Sequence, residues 1–136
     1  MTPTIEYHAD LNRIQAADLD GFFVGWPQPP SPQKLRAVLA GSTHFLVAVP
    51  AGETRVVGFI TAISDGVLAA NIPLLEVHPD FQGHGIGSQL VTSMLNELRE
   101  LYMVDLSCDP GVQPFYARLG MSPMTGMALR NYEALD

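Results

Sequence analysis

From Glu76 to Leu90 the chain reads EVHPDFQGHGIGSQL. An apolar run leads into Gly83, Gly85 and Gly87. After them Leu90, Val91, Met94, Leu95, Leu98 and Leu101 form an apolar stripe at helical spacing. A strand that enters a glycine loop and leaves as a helix commits this region to an α/β layer, because the helix must bury its stripe against a sheet. The next apolar run, Met103–Ser107, then reads as a strand parallel to the one at about 72–77, reached by a right-handed crossover.

Upstream the signals are antiparallel. His44–Val49 and Arg55–Ile63 read as paired strands, and Ser64-Asp65-Gly66 marks a tight turn into a strand over Val67–Val77. Pro73 lacks a ladder donor, so that strand is expected to bulge near Asn71–Pro73. Thr4–His8 reads as a short strand and Asp10–Asp18 as a weak helix. Gly21–Pro32 holds four prolines with Phe22, Phe23 and Trp26, and reads as a loop. Ser31 followed by Pro32 suits the cap and first position of a helix to about Ala40. Val112–Leu119 reads as a short helix stopped by Gly120, and Met121–Arg130 as a closing hairpin. The expected fold class is mixed α/β in one domain over residues 1–136. Its sheet is mostly antiparallel with one parallel pair.

Length and charge limit the function. At 136 residues the chain supports one core, and 47% hydrophobic content excludes compositional disorder. No apolar run reaches the roughly 18–20 residues of a bilayer span, and the N-terminus lacks a signal pattern, so no membrane partner is expected. The net charge of −7 argues against nucleic acid and leaves room for a cationic substrate. One cysteine, Cys108, forbids an internal disulfide and suits a cytoplasmic setting. The histidines and Cys108 show no ligand pairing at short spacing, so no metal is expected.

Glycines ahead of a helix let unpaired N–H groups approach an anion, and the helix end adds about half a positive charge. A ligand-free turn is the bland alternative. A triphosphate loop needs Lys then Ser or Thr after its last glycine, but Gly87 is followed by Ser88 and Gln89. A dinucleotide loop wants G-x-G-x-x-G and an acid about 20 residues on. Asp105 stands at that distance, but the spacing is G-x-G-x-G.

The intervening residues add a resemblance. Val77-His78-Pro79-Asp80-Phe81-Gln82-Gly83-His84-Gly85-Ile86-Gly87 resembles motif A of the GNAT superfamily, the acetyl-CoA-dependent N-acetyltransferases. Pro114-Phe115-Tyr116-Ala117-Arg118-Leu119-Gly120-Met121 is similar to its motif B, nearest the arylalkylamine-type branch. The resemblance implies the GNAT fold, with a splayed parallel strand pair and helices on both faces. It implies acetyl transfer from acetyl-CoA to a primary amine of a small molecule by direct attack on the thioester. A protein or peptide amine, or a CoA-binding regulatory module without turnover, are the alternatives.

It also implies roles. The backbone of Gln82, Gly83, His84, Gly85, Ile86, Gly87 and Ser88 would bind the pyrophosphate, and Leu75 and Val77 the pantetheine arm. Asp109 would lie near that arm or merely cap the following helix. A strand bulge would leave a free N–H near Val77 to steady an oxyanion. Tyr116 would be the general acid. Glu76 is the nearest carboxylate to serve as base, because Asn71 and Pro73 stand where relatives carry histidines. Phe22, Phe23, Trp26 and Asn71 would border the amine. His78 and His84 read as surface histidines of the loop. Pairing as a homodimer is left open.

Overall fold

The computed structural model describes residues 3–135. Five strands form one sheet in the order β1-β2-β3-β4-β5: β1 Ile5–His8, β2 His44–Pro50, β3 Gly58–Ser64, β4 Ala69–Val77 and β5 Met103–Asp105. The first four are antiparallel neighbours, and β4 and β5 run parallel. Helix α1 (Pro32–Gly41) covers one face. Helix α2 (Ile86–Glu97) covers the other, beside the short α3 (Gln113–Ala117). The mixed sheet with helices on both faces is the architecture expected.

Strand alternation explains the two cores. Leu46 and Ala48 of β2, and Ile60 and Ala62 of β3, pack toward α2 with Leu90, Val91, Met94 and Leu98. Phe45, Val47, Val49 and Phe59 pack toward α1 with Leu35 and Leu39. In β4 the alternation breaks. Ala70 and Ile72 face α2, but beyond them Leu75 and Val77 do, while Leu74 faces α1. The register jumps from Thr61↔Leu74 to Ile63↔Asn71, so Ile72 and Pro73 together oppose Ala62. One extra residue there reverses the facing of everything after it.

Local chemistry sets the ends. Ser31 Oγ accepts the Lys34 N–H at 3.1 Å, with Pro32 opening α1. Asp65 Oδ1 accepts the N–H groups of Val67, Leu68 and Ala69, which forms the β3–β4 turn and holds that carboxyl below its usual range.

Three expectations fail. Asp10–Asp18 is not a helix; only Ala16–Leu19 makes a 3-10 turn. Arg36 donates to the carbonyls of Ile14 (2.9 Å) and Leu11 (3.4 Å), so a distant side chain takes acceptors that a helix would need. Arg55–Val57 lies outside β3: Val57 N–H bonds Ala48 while its carbonyl accepts from His78, an irregular junction between two neighbours. Met121–Arg130 forms no hairpin. Pro123 cannot donate, Gly126 weakens a strand, and Met124, Met127 and Leu129 stay exposed, so no apolar face is buried to hold a hairpin.

Gly58 marks where α2 meets the sheet. A Cβ there would lie 3.1 Å from Ile86 Cγ2, 3.2 Å from Leu90 Cδ1 and 3.3 Å from the Glu76 carbonyl oxygen. Gly58→Ala is therefore expected to destabilise the fold by about 1–3 kcal/mol, measured by denaturant unfolding. A wild-type midpoint would show that the α2 N-terminus is free to shift.

Candidate active site

The β4–α2 loop turns on two residues. Gly83 (φ 83°) and Gly85 (φ 80°) occupy the left-handed region that side chains disfavour. Gly85 is the N-cap of α2 and offers no side-chain capping bond. The N–H groups of the first turn therefore face outward at the positive end of the helix dipole, the arrangement that takes an anion. A Cβ on Gly83 or Gly85 would meet nothing within 4 Å, so the space beside them is open. Gly87 lies inside the helix without a positive φ. His84 is exposed, and Ser88 half-buried.

Upstream, β4 loses a neighbour. The parallel ladder with β5 ends at Asn71↔Asp105, leaving the rest of β4 unpaired on that side among the described residues. His78 N–H donates to Val57 at 2.8 Å, and antiparallel pairs alternate between bonded and non-bonded, so the backbone groups of Leu75 and Val77 point away from β3. Consistently, the Val77 carbonyl accepts from Gln82 Nε2 at 3.1 Å. The open edge thus runs into the glycine loop. The bulge, however, lies at Ile72–Pro73 rather than beside Val77.

On the α1 face a second loop closes over β4. Phe23 adopts φ 62°, uncommon for a residue with a side chain. Its N–H donates to both Glu76 oxygens at 2.9 and 3.1 Å, its carbonyl accepts from Trp26 N–H at 3.1 Å, and its ring is buried beside Phe59. Glu76 reaches this face only because of the bulge; without the extra residue it would point toward α2. Phe22 stands edge-on to Phe59 at 5.0 Å and to His78 at 6.1 Å. His78 is no surface residue: its side chain is 20% exposed and packs under Gly21, where a Cβ would approach Nε2 to 2.6 Å.

These elements border a cavity of about 440 Å³, with Phe22, Val24, Glu76, Val77 and Gln82 in its wall. A larger cavity, about 650 Å³, lies against β5 and includes Asn71, Cys108 and Tyr116. Tyr116 is half-buried on α3, edge-on to Phe115 at 5.0 Å. Burial pushes its phenol pKa up, with a smaller push from Cys108. Its hydroxyl has no hydrogen-bond partner among the described residues.

Burial likewise pushes the Glu76 carboxyl up, opposed by the Phe23 N–H. Folding then favours the neutral acid. That contribution is full below the unfolded value near 4.5 and is lost as pH rises through the raised folded value. Glu76→Gln, which keeps one acceptor for Phe23, is expected to gain in melting temperature relative to wild type as pH rises from below 4.5 into the neutral range. A gap that is constant with pH would show that Glu76 ionises as it does in water.

The predicted residues fall into separate groups. Phe22, Glu76, Val77 and Gln82 share one wall, and Asn71 and Tyr116 another. Phe23 is 4% exposed, and the Trp26 ring lies 4.9 Å from it, tilted by 59°; neither borders either cavity. Asp109 precedes a 3-10 turn but makes no side-chain capping bond. The sequence reading missed Val24, which carries no pattern, and the closeness of Cys108 to Tyr116, which are eight positions apart. Among the described residues no His, Cys, Asp or Glu cluster is suited to a metal, and no helix is long and apolar enough to cross a membrane.

Comparison with known proteins agrees in one direction. Residues 11–121 match the model of the acetyltransferase (GNAT) family. A Deinococcus radiodurans R1 crystal structure assigned to the acetyltransferases is 45% identical, covering 98% of this chain and 95% of that one, with a TM-score of 0.92. A GNAT family protein of Streptococcus pneumoniae, SP0256, is 28% identical, covering 95% and 98%, with a TM-score of 0.72. The uncharacterised N-acetyltransferase ycf52 of Porphyra purpurea is 35% identical over 71% of this chain. The chain spans little more than half the length of the curated relatives it matches first, 58% of ycf52.

Proposed function

The chain belongs to the GNAT acetyltransferase family, and on that footing we propose that it moves an acetyl group from acetyl-CoA to the primary amine of a small molecule. The observation that carries this reading is the open β4 edge running into an uncapped helix N-terminus. One end suits an extended amide-bearing arm, and the other suits a diphosphate. Acetyl-CoA has both parts and supplies an activated acyl group when bound.

The residues present fit that group. N–H groups from Gln82 to Ser88 would hold its phosphates, and Gly83 and Gly85 leave room for close approach. No side-chain cation is required there. Leu75 and Val77 would offer backbone groups to the arm, the Val77 carbonyl being the acceptor that Gln82 Nε2 holds at 3.1 Å. With the donor lying between the two cavities, Tyr116 would be the group to protonate the leaving sulfur, and Glu76 the group to take a proton from the amine, directly or through water. Phe22 forms the wall of the acceptor side. Holding donor and amine along one strand supplies rate by positioning. The lone cysteine suits a reducing cytoplasm.

The test is calorimetry with acetyl-CoA, followed by thiol release across a library of amines. Saturable binding and release with a subset of amines are expected. Binding without release would support a regulatory module instead, and absence of binding would end the reading. A lysine peptide in the library separates small-molecule from protein acceptors.

A further inference from the structure

The family leaves the acceptor open, but the cavity over Glu76 restricts it. Among the described residues of that wall Glu76 alone is charged; Phe22, Val24, Leu75, Val77 and Gln82 are uncharged. Its two oxygens offer about four acceptor positions, and the protein fills them with a single N–H, that of Phe23. No ion pair to Glu76 forms among the described residues. Nearby basic groups are engaged elsewhere. Arg55 lies 4.9 Å over the Phe81 ring and 3.6 Å from Glu53, and His78 Nδ1 accepts the Asp80 N–H. Neither borders the cavity.

A half-buried carboxylate with donors missing is costly alone and attracts a cationic donor. An ammonium entering here meets Glu76, while the carbon body behind it meets the Phe22 and Val24 side chains. A carboxylate on the same carbon as the amine would instead arrive within a few ångströms of Glu76, with no cation among the described lining residues to offset the repulsion. The overall charge of −7 works in the same direction at longer range.

We propose that this cavity selects primary amines with an apolar body and no carboxylate, received by Glu76, and discriminates against amino acids. This deepens the acetyltransferase reading and rests on it for turnover, though not for binding.

The experiment uses matched pairs on the full chain: isopentylamine against leucine, and 2-phenylethylamine against phenylalanine, with phenylalanine methyl ester as the neutral control for bulk. With acetyl-CoA saturating, kcat/KM is expected to favour each amine over its amino acid by about a hundredfold. The ester should side with the amines. Calorimetry with CoA in place of acetyl-CoA should give the same order of Kd without chemistry. In Glu76→Gln, checked by its melting curve, the preference should fall to tenfold or less whatever happens to turnover. Equal use of leucine and isopentylamine would overturn the selection while leaving acetyl transfer intact. Thiol release from no amine, with the order of Kd preserved, would overturn the transferase and keep the selection. Failure of every amine to bind, or a preference unchanged in Glu76→Gln, would overturn the selection outright.

Discussion

Tyr116→Phe is expected to lower kcat by about a hundredfold or more while acetyl-CoA binds nearly as before. The substitution removes one oxygen. The ring keeps its edge-on contact with Phe115 and its place against the α2-side core, so folding should be unaffected. The lost group is a hydroxyl with no hydrogen-bond partner among the described residues. Its proton is firmly held, because burial first and Cys108 second push the phenol above its ordinary value of 10.0. Tyr116 thus stays protonated through the neutral range, as an acid for a leaving thiolate must. In wild type the alkaline limb of kcat due to this group should lie above pH 10, and it should vanish in the variant. Thiol-release kinetics and calorimetry separate the possibilities. An unchanged kcat would return the proton to water, and a loss of acetyl-CoA affinity would make Tyr116 a binding residue.

The second large effect concerns the loop. Replacing Gly83 and Gly85 together by alanine should weaken acetyl-CoA binding by about a hundredfold, from roughly 1–2 kcal/mol of left-handed strain at each position. A Cβ at either site enters open space, so the effect is on the backbone alone. With alanines the free loop relaxes out of the left-handed region and turns its N–H groups away, and binding must restore the strained shape at that cost. Gly87→Ala is the control. It lies in the helix, and its Cβ would sit 3.7 Å from Phe115 and Val77, an ordinary contact. Its affinity should change little. Equal losses in all variants would mean that the loop senses bulk rather than backbone conformation.

The contrast between these glycines shows how far a sequence can be read. The three looked alike in the G-x-G-x-G pattern, yet two are demanded by φ and the third is not. Much of the sheet was legible because alternation and turn residues act over a few positions. The Asp65 turn and the Ser31 cap are of this kind. The form of the loop was legible where the motif is continuous, from Val77 to Ser88. It was not legible where parts meet across the fold. Phe23 read as a pocket aromatic, but its unusual backbone conformation and the Glu76 carboxylate draw it into the core.

By itself the sequence determined the strand–glycine–helix unit, the antiparallel strands before it and the helix cap, because each depends on neighbours within one or two turns. Only the tertiary structure decided which way Glu76 faces, since one extra residue at Ile72–Pro73 reverses the rest of β4. It also decided that Arg36 takes the carbonyls a helix at Asp10–Asp18 would have used, and that Cys108 stands beside Tyr116. These outcomes depend on groups far apart along the chain, and no local period encodes such a meeting.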